Sequence, residues 1–106
     1  ILSGLVGSEM CIRDRLKEIA AAGVGHITDS GYTVPHGIGH SFGYDAHEPL
    51  FISIRDGRTL RADMVTTLEP GIYVPGVGGV RLEDDYLITP SGAEKLTHCT
   101  DELLEL

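Results

Sequence analysis

The chain has 106 residues, enough for one small domain with a modest core. With 42% of residues hydrophobic and 23% charged, its composition is not that of a disordered chain, and a formal net charge of −8 argues against nucleic acid as a partner, because eight scattered Lys and Arg form no basic face to neutralise phosphates. No apolar run approaches the ~20 residues of a spanning helix, so no membrane partner is expected, and Cys11 and Cys99 form neither a metal-binding pair nor a disulfide framework, which makes a reducing, cytoplasmic setting the default.

Residues 1–15 read differently from the rest. The string from Leu5 through Gly7, Met10 and Cys11 to Arg15 resembles the translation of a sequencing-adaptor read, and position 1 is Ile rather than Met. We expect residues 1–15 to be a non-native leader and exclude them from fold reasoning. From Leu16 the pattern is regular. Leu16, Ile19, Ala20 and Gly23 fall at helical spacing, and Gly23 and Gly25 supply a stop, predicting an amphipathic helix over roughly 13–23. Residues 27–35 read as loop or extended chain.

Met64 to Leu68 is rich in β-branched residues and reads as a strand. Pro70-Gly71 and the run from Pro75 to Gly79 punctuate the next segment. Val80, Leu82, Tyr86 and Ile88 frame a second strand. Thr89-Pro90-Ser91-Gly92 reads as a tight turn into a third, Ala93 to Leu96. Residues 101–106 read as a short helical end capped by Thr100. One helix followed by hairpin-linked strands predicts an α+β domain with an antiparallel sheet.

Three segments carry candidate chemistry. In Pro35-His36-Gly37-Ile38-Gly39-His40, the proline and glycines argue against a helix. In an extended chain His36 and His40 lie roughly 13 Å apart, so one ion cannot take both. The glycines permit close backbone approach. Gly37-x-Gly39 lacks the strand-to-helix context of a dinucleotide fingerprint, and His47-Glu48 lacks the second histidine of a zincin helix, since position 51 is Phe. By themselves these histidines also read as ordinary loop residues.

Glu69 closes the Met64 strand, and Arg81 and Glu83 share one face of the next. If the two strands are antiparallel neighbours, Glu69 and Glu83 come together. Each then repels the other and one pKa rises, unless a metal or Arg81 lies between them. A solvated acidic strand is the plainer reading of Glu83-Asp84-Asp85 alone.

Taken together, His36-Gly37-Ile38-Gly39-His40, Asp45-Ala46-His47-Glu48, the run Met64 to Tyr73 with its Glu69-Pro70-Gly71-Ile72-Tyr73, and Gly79 to Asp85 closely resemble the C-terminal half of the pita-bread metallopeptidases. This family holds the Xaa-Pro aminopeptidases, the Xaa-Pro dipeptidases (prolidases) and the methionine aminopeptidases, and the flavour here is the proline-directed branch. The resemblance runs from about Leu16 to Leu106. It implies a partial pita-bread fold, a curved antiparallel sheet with a flanking helix.

It also implies roles. His40, Glu69 and Glu83 match metal ligands, with Glu69 also the general acid/base and Glu83 bridging two ions. His36 and His47 match pocket histidines that contact substrate, and Arg81 matches a residue that helps hold the site. The implied cofactors are two divalent ions, Mn first, with Co, Zn or Fe also suited to imidazole and carboxylate donors. The implied substrate is a peptide with proline at the second position, and the parent protein is expected to be a homo-oligomer. The family takes two further aspartate ligands from its N-terminal half, and Asp29 lies too near His36 to match either. We therefore expect residues 16–106 to be the C-terminal half of a catalytic domain, inactive alone. The alternative is a metal-free relative of the same fold, an amidinohydrolase-like enzyme or a binding module. Asp63 stands where the family often has glycine.

Overall fold

The computed structural model describes residues 15–98. It is an α+β arrangement of one helix, α1 (Leu16–Asp29), and seven short strands: β1 (Gly39–His40), β2 (Phe51–Ile52), β3 (Val65–Leu68), β4 (Gly71–Val74), β5 (Gly78–Arg81), β6 (Asp84–Thr89) and β7 (Gly92–Lys95). All pairings are antiparallel: β1 with β2, β4 with β5, and β6 between β3 and β7. A bridge between Ser41 and Thr66, with the Glu69 amide donating to the Ile38 carbonyl at 2.6 Å, joins β1 to β3. The order β2-β1-β3-β6-β7 is thus nearly continuous, and the β4–β5 hairpin extends from one end of β3. The short helical end expected over 101–106 lies outside the described residues.

α1 buries Leu16, Ile19, Ala20, Gly23 and Ile27, the i, i+3, i+4 stripe of its sequence. Leu16, Ile19 and Ala20 meet Ile38, Leu50, Ile52, Leu60, Leu68, Tyr86 and Ile88 in one core. Each large side chain there contributes about 1.5–3 kcal/mol through the area it removes from water. The first amide groups of the helix have no partner within it. The Leu16 and Lys17 amides instead donate to the carbonyls of Arg58 and Asp56, at 2.9 and 2.8 Å. This ties α1 to the turn before Leu60.

The helix does not stop at Gly23 as its sequence suggests; it runs six residues further, to Asp29. Packing overrides propensity. A Cβ on Gly23 would lie 2.5 Å from Ile38 Cδ1, so the missing side chain is the space that the chain before β1 occupies. Burial of Ile27 one turn later offsets the ~1 kcal/mol that each glycine costs a helix. The actual stop is Ser30-Gly31. Gly31 has φ +93°, and its amide donates to the Thr28 carbonyl at 2.9 Å.

Two further expectations change. The single strand framed by Val80 and Ile88 is two strands, split at Leu82–Glu83. Residues 78–81 pair with β4, and residues 84–89 pair with β3 and β7, so the break marks a change of partner. The segment after Pro70 is itself a strand, β4, and not only turns. The strand at 65–68 and the Pro90-Ser91 turn into β7 agree with the sequence reading. The Asp63 position is also explained. Its φ is +70°, a left-handed conformation that glycine adopts without strain.

Candidate metal centre

β1 can approach β3 because position 39 has no side chain. A Cβ there would collide with the Thr67 carbonyl oxygen and would lie 2.9 Å from Ile52 Cδ1. The close approach brings His40, which is buried, against the end of β3. The His40 amide donates to Thr67 Oγ1 at 3.1 Å. Its ring Nδ1 lies 3.0 Å from the Ser41 carbonyl, which can only accept, so the hydrogen sits on Nδ1. Nε2 then presents a lone pair, and it faces Glu69 Oε2 at 3.5 Å. Two acceptors so placed need a proton or a cation between them.

Glu69 follows β3, and Glu83 precedes β6. The register pairs Leu68 with Asp84, so Glu69 and Glu83 stand one step beyond the last pair, opposite each other. One ligand atom from each of His40, Glu69 and Glu83 lies within 4.8 Å of the others. Loss of hydration, then the neighbouring Glu69 carboxylate, push the Glu83 carboxyl above its ordinary value; Arg81 pulls the other way. Arg81 Nε lies 4.0 Å from Glu83 Oε2, and both side chains are about half exposed. Arg81 is a partial counter-charge only, and the pair of carboxylates still favours a cation. One imidazole and two carboxylates, without thiolate, suit a hard or borderline divalent ion. The residues therefore fit such an ion.

The remaining sequence candidates separate. His47 is exposed in the loop after β1, its ring centroid 4.2 Å from that of His40, so it borders the centre. His36 is half-buried and turns to β4. Its Nε2 lies 2.7 Å from the Tyr73 hydroxyl and its Nδ1 lies 2.6 Å from the Gly37 carbonyl. Both ring nitrogens are therefore engaged within the protein, with Nδ1 donating and Nε2 accepting. His36 also lines a cavity of about 780 Å³ with Ala20, Val24, Phe51 and Ile54, and that cavity does not include His40, Glu69 or Glu83.

Two residues of the site were not singled out from sequence. Thr67 donates from Oγ1 to Glu69 Oε2 at 3.2 Å. Its position two before Glu69 on a strand, hence on the same face, was a usable signal. Tyr73 carries no comparable signal. Its ring fits against Gly71 and Gly79, where a Cβ would lie 2.5 Å from the Tyr73 hydroxyl and 2.6 Å from its Cδ1.

Comparison with known proteins places this geometry in a family. The profile of Metallopeptidase family M24 matches residues 7–90. The chain belongs to this family. It is 48% identical over 85 residues to an uncharacterized peptidase of Staphylococcus aureus (strain USA300), a match covering 78% of this chain and 24% of that protein. Among solved structures, an Xaa-Pro dipeptidase from Bacillus anthracis is 36% identical with a TM-score of 0.93, covering 99% of this chain and 30% of that one. A prolidase from Pyrococcus horikoshii OT3 is 37% identical with a TM-score of 0.91, covering 97% and 30%. The chain thus spans 24–30% of the length of these relatives, and its fold is that of the two solved structures over that span. Among the described residues no helix is long and apolar enough to cross a membrane.

Proposed function

We propose that the protein to which residues 16–106 contribute hydrolyses peptide bonds that precede proline, as a prolidase or Xaa-Pro aminopeptidase. The observation that carries this is the convergence of His40, Glu69 and Glu83, from three separate segments, within 4.8 Å. The similarity to a prolidase and an Xaa-Pro dipeptidase supports the proline preference. A metal-free binding module would have no use for two carboxylates held against an imidazole lone pair.

In this reading His40 offers Nε2, its tautomer set by the Ser41 carbonyl, and Glu69 and Glu83 offer carboxylate oxygens to two divalent ions. Ions held there would supply a water acidified for attack and polarise the scissile carbonyl. Glu69 would take up a proton at a carboxylate oxygen as general base and return it to the departing amine as general acid. Arg81 steadies Glu83, and His47 beside His40 donates to the substrate carbonyl. His36 acts with Tyr73, because its ring nitrogens are already engaged. Two further ligands come from sequence outside residues 16–106, so the 106-residue chain alone is inactive.

The test compares the 106-residue chain with the complete gene product, each with Mn²⁺, on an Xaa-Pro dipeptide and on a dipeptide lacking proline. We expect hydrolysis by the complete product only, and of the proline peptide only. Hydrolysis by the 106-residue chain would overturn the divided site. Equal rates on both peptides would overturn the proline preference.

A further inference from the structure

We propose that Thr67 is a positioning residue that clamps His40 and Glu69 into one preformed donor pair. The inference rests on the metal reading above for its consequence, but not for the clamp itself. A threonine hydroxyl has one hydrogen and two lone pairs. The His40 amide donates to Thr67 Oγ1 at 3.1 Å, which leaves the hydroxyl's own hydrogen for Glu69 Oε2 at 3.2 Å. Donor and acceptor roles are therefore fixed in sequence: amide to hydroxyl, hydroxyl to carboxylate.

The carboxylate oxygen so held is the one that faces the His40 ring, since the 3.5 Å separation from Nε2 is also to Oε2. His40 is fixed at two points, its amide by Thr67 and its ring by the Ser41 carbonyl. Thr67 itself is only 4% exposed, so water does not compete for the hydroxyl, and its β-branch restricts rotation on the strand. Its carbonyl oxygen lies where a Gly39 Cβ would be, which ties the clamp to the close approach of β1 and β3.

The neighbouring Thr66 provides the contrast. It points to the opposite face of β3, is fully buried, and its Oγ1 has no hydrogen-bond partner among the described residues. Two adjacent threonines of one strand thus differ in role: Thr66 fills the core, and Thr67 orders the donors.

The experiment uses the 106-residue chain with Thr67→Val, Thr67→Ser and Thr66→Val. Amide hydrogen exchange at His40 is read without metal, and Mn²⁺ affinity by calorimetry. Thr67→Val keeps the shape and removes both bonds, so His40 exchanges about tenfold faster or more while the Ile88 amide is unmoved, and Mn²⁺ binds about tenfold or more weakly. Thr67→Ser retains both properties, and Thr66→Val alters neither. Unchanged His40 exchange in Thr67→Val, or a serine variant as impaired as the valine, overturns the proposal. Should Thr67→Val fail to fold, the unsubstituted chain decides. There the Thr67 hydroxyl proton gives a slowly exchanging NMR signal with a cross-peak to the His40 amide, and its absence overturns the clamp. An intact clamp in this chain, together with a complete gene product that binds no Mn²⁺, overturns the metal reading instead.

Discussion

The turn at 56–58 and the pair Glu69/Glu83 treat a carboxylate in opposite ways. Asp56 receives the Arg58 guanidinium through Nε at 2.9 Å and Nη2 at 2.6 Å, and also the Arg58 and Phe51 amides, at 3.0 and 3.4 Å. The side-chain bond to Arg58 is the main cause that holds its carboxyl at about 2. The result is a satisfied anion that anchors the start of α1. Glu83 has a second carboxylate for a neighbour and, among the described residues, only Arg81, 4.0 Å away, as counter-charge. The carboxylate of Asp56 is neutralised within its own turn, whereas the candidate ligand Glu83 faces a like charge that a cation would relieve. Where charge stays uncompensated in a folded chain, a ligand is the natural missing partner.

This contrast can be broken in several ways, beginning with the largest effect. In the complete protein, Glu69→Gln should lower kcat by about 10²–10⁴-fold, the usual contribution of a positioned acid/base. Peptidase assays check this, and an effect below tenfold would remove Glu69 from proton transfer. Next, Gly39→Ala drives a methyl into the Thr67 carbonyl. It should destabilise the chain by about 1–3 kcal/mol, measured by urea unfolding, and weaken Mn²⁺ binding with it. Asp56→Ala should destabilise by about 1–2 kcal/mol, through loss of charge-assisted bonds at a partly exposed site, while leaving Mn²⁺ affinity unchanged.

The pH dependence sharpens the same comparison, because the two signs are opposite. Between the ordinary carboxyl value of 4.5 and its raised folded value, folded Glu83 keeps a proton that the unfolded chain has released. Stability without metal therefore falls as pH rises through that window, and Glu83→Gln should flatten the slope. Asp56 is lowered from 3.8 to about 2, so across that interval the unfolded chain binds the proton. Its stabilisation is complete above 3.8 and is lost as pH falls toward 2. Denaturant titrations across pH, with each variant, separate the two contributions. The smallest effect is expected at Asp63. With φ at +70°, Asp63→Gly should be stabilising by about 0.5–1 kcal/mol in the same titrations, the relief of left-handed strain exceeding the entropy that glycine loses on folding.

Much of the candidate site was legible because its potential donors sit at strand ends beside punctuation. Pro70-Gly71 ends β3 just past Glu69, and alternation around Leu82 places Glu83 beside Arg81. Spacing alone also kept His36 and His40 from one ion, and the structure sends His36 to Tyr73 and His40 to Glu69. Thr67 and Tyr73 were missed for a common reason. Their roles depend on what lies across a strand pair, and a single sequence does not show which strands meet.

Local chemistry in the sequence determined the apolar stripe of α1, the strand at 65–68, the Pro90-Ser91 turn and the set of donors available to a metal. These features arise from periodicity, β-branching and turn residues, which act over a few neighbouring positions. Tertiary contact decided the rest. The helix continues through Gly23 because Ile38 fills the space of an absent side chain, and β1 reaches β3 because Gly39 leaves room for the Thr67 carbonyl. The strand splits at Leu82–Glu83 because its two parts pair with different partners. In each case the deciding term is packing or pairing between residues distant in sequence, and it exceeds the local preference of about 1 kcal/mol that the sequence displays.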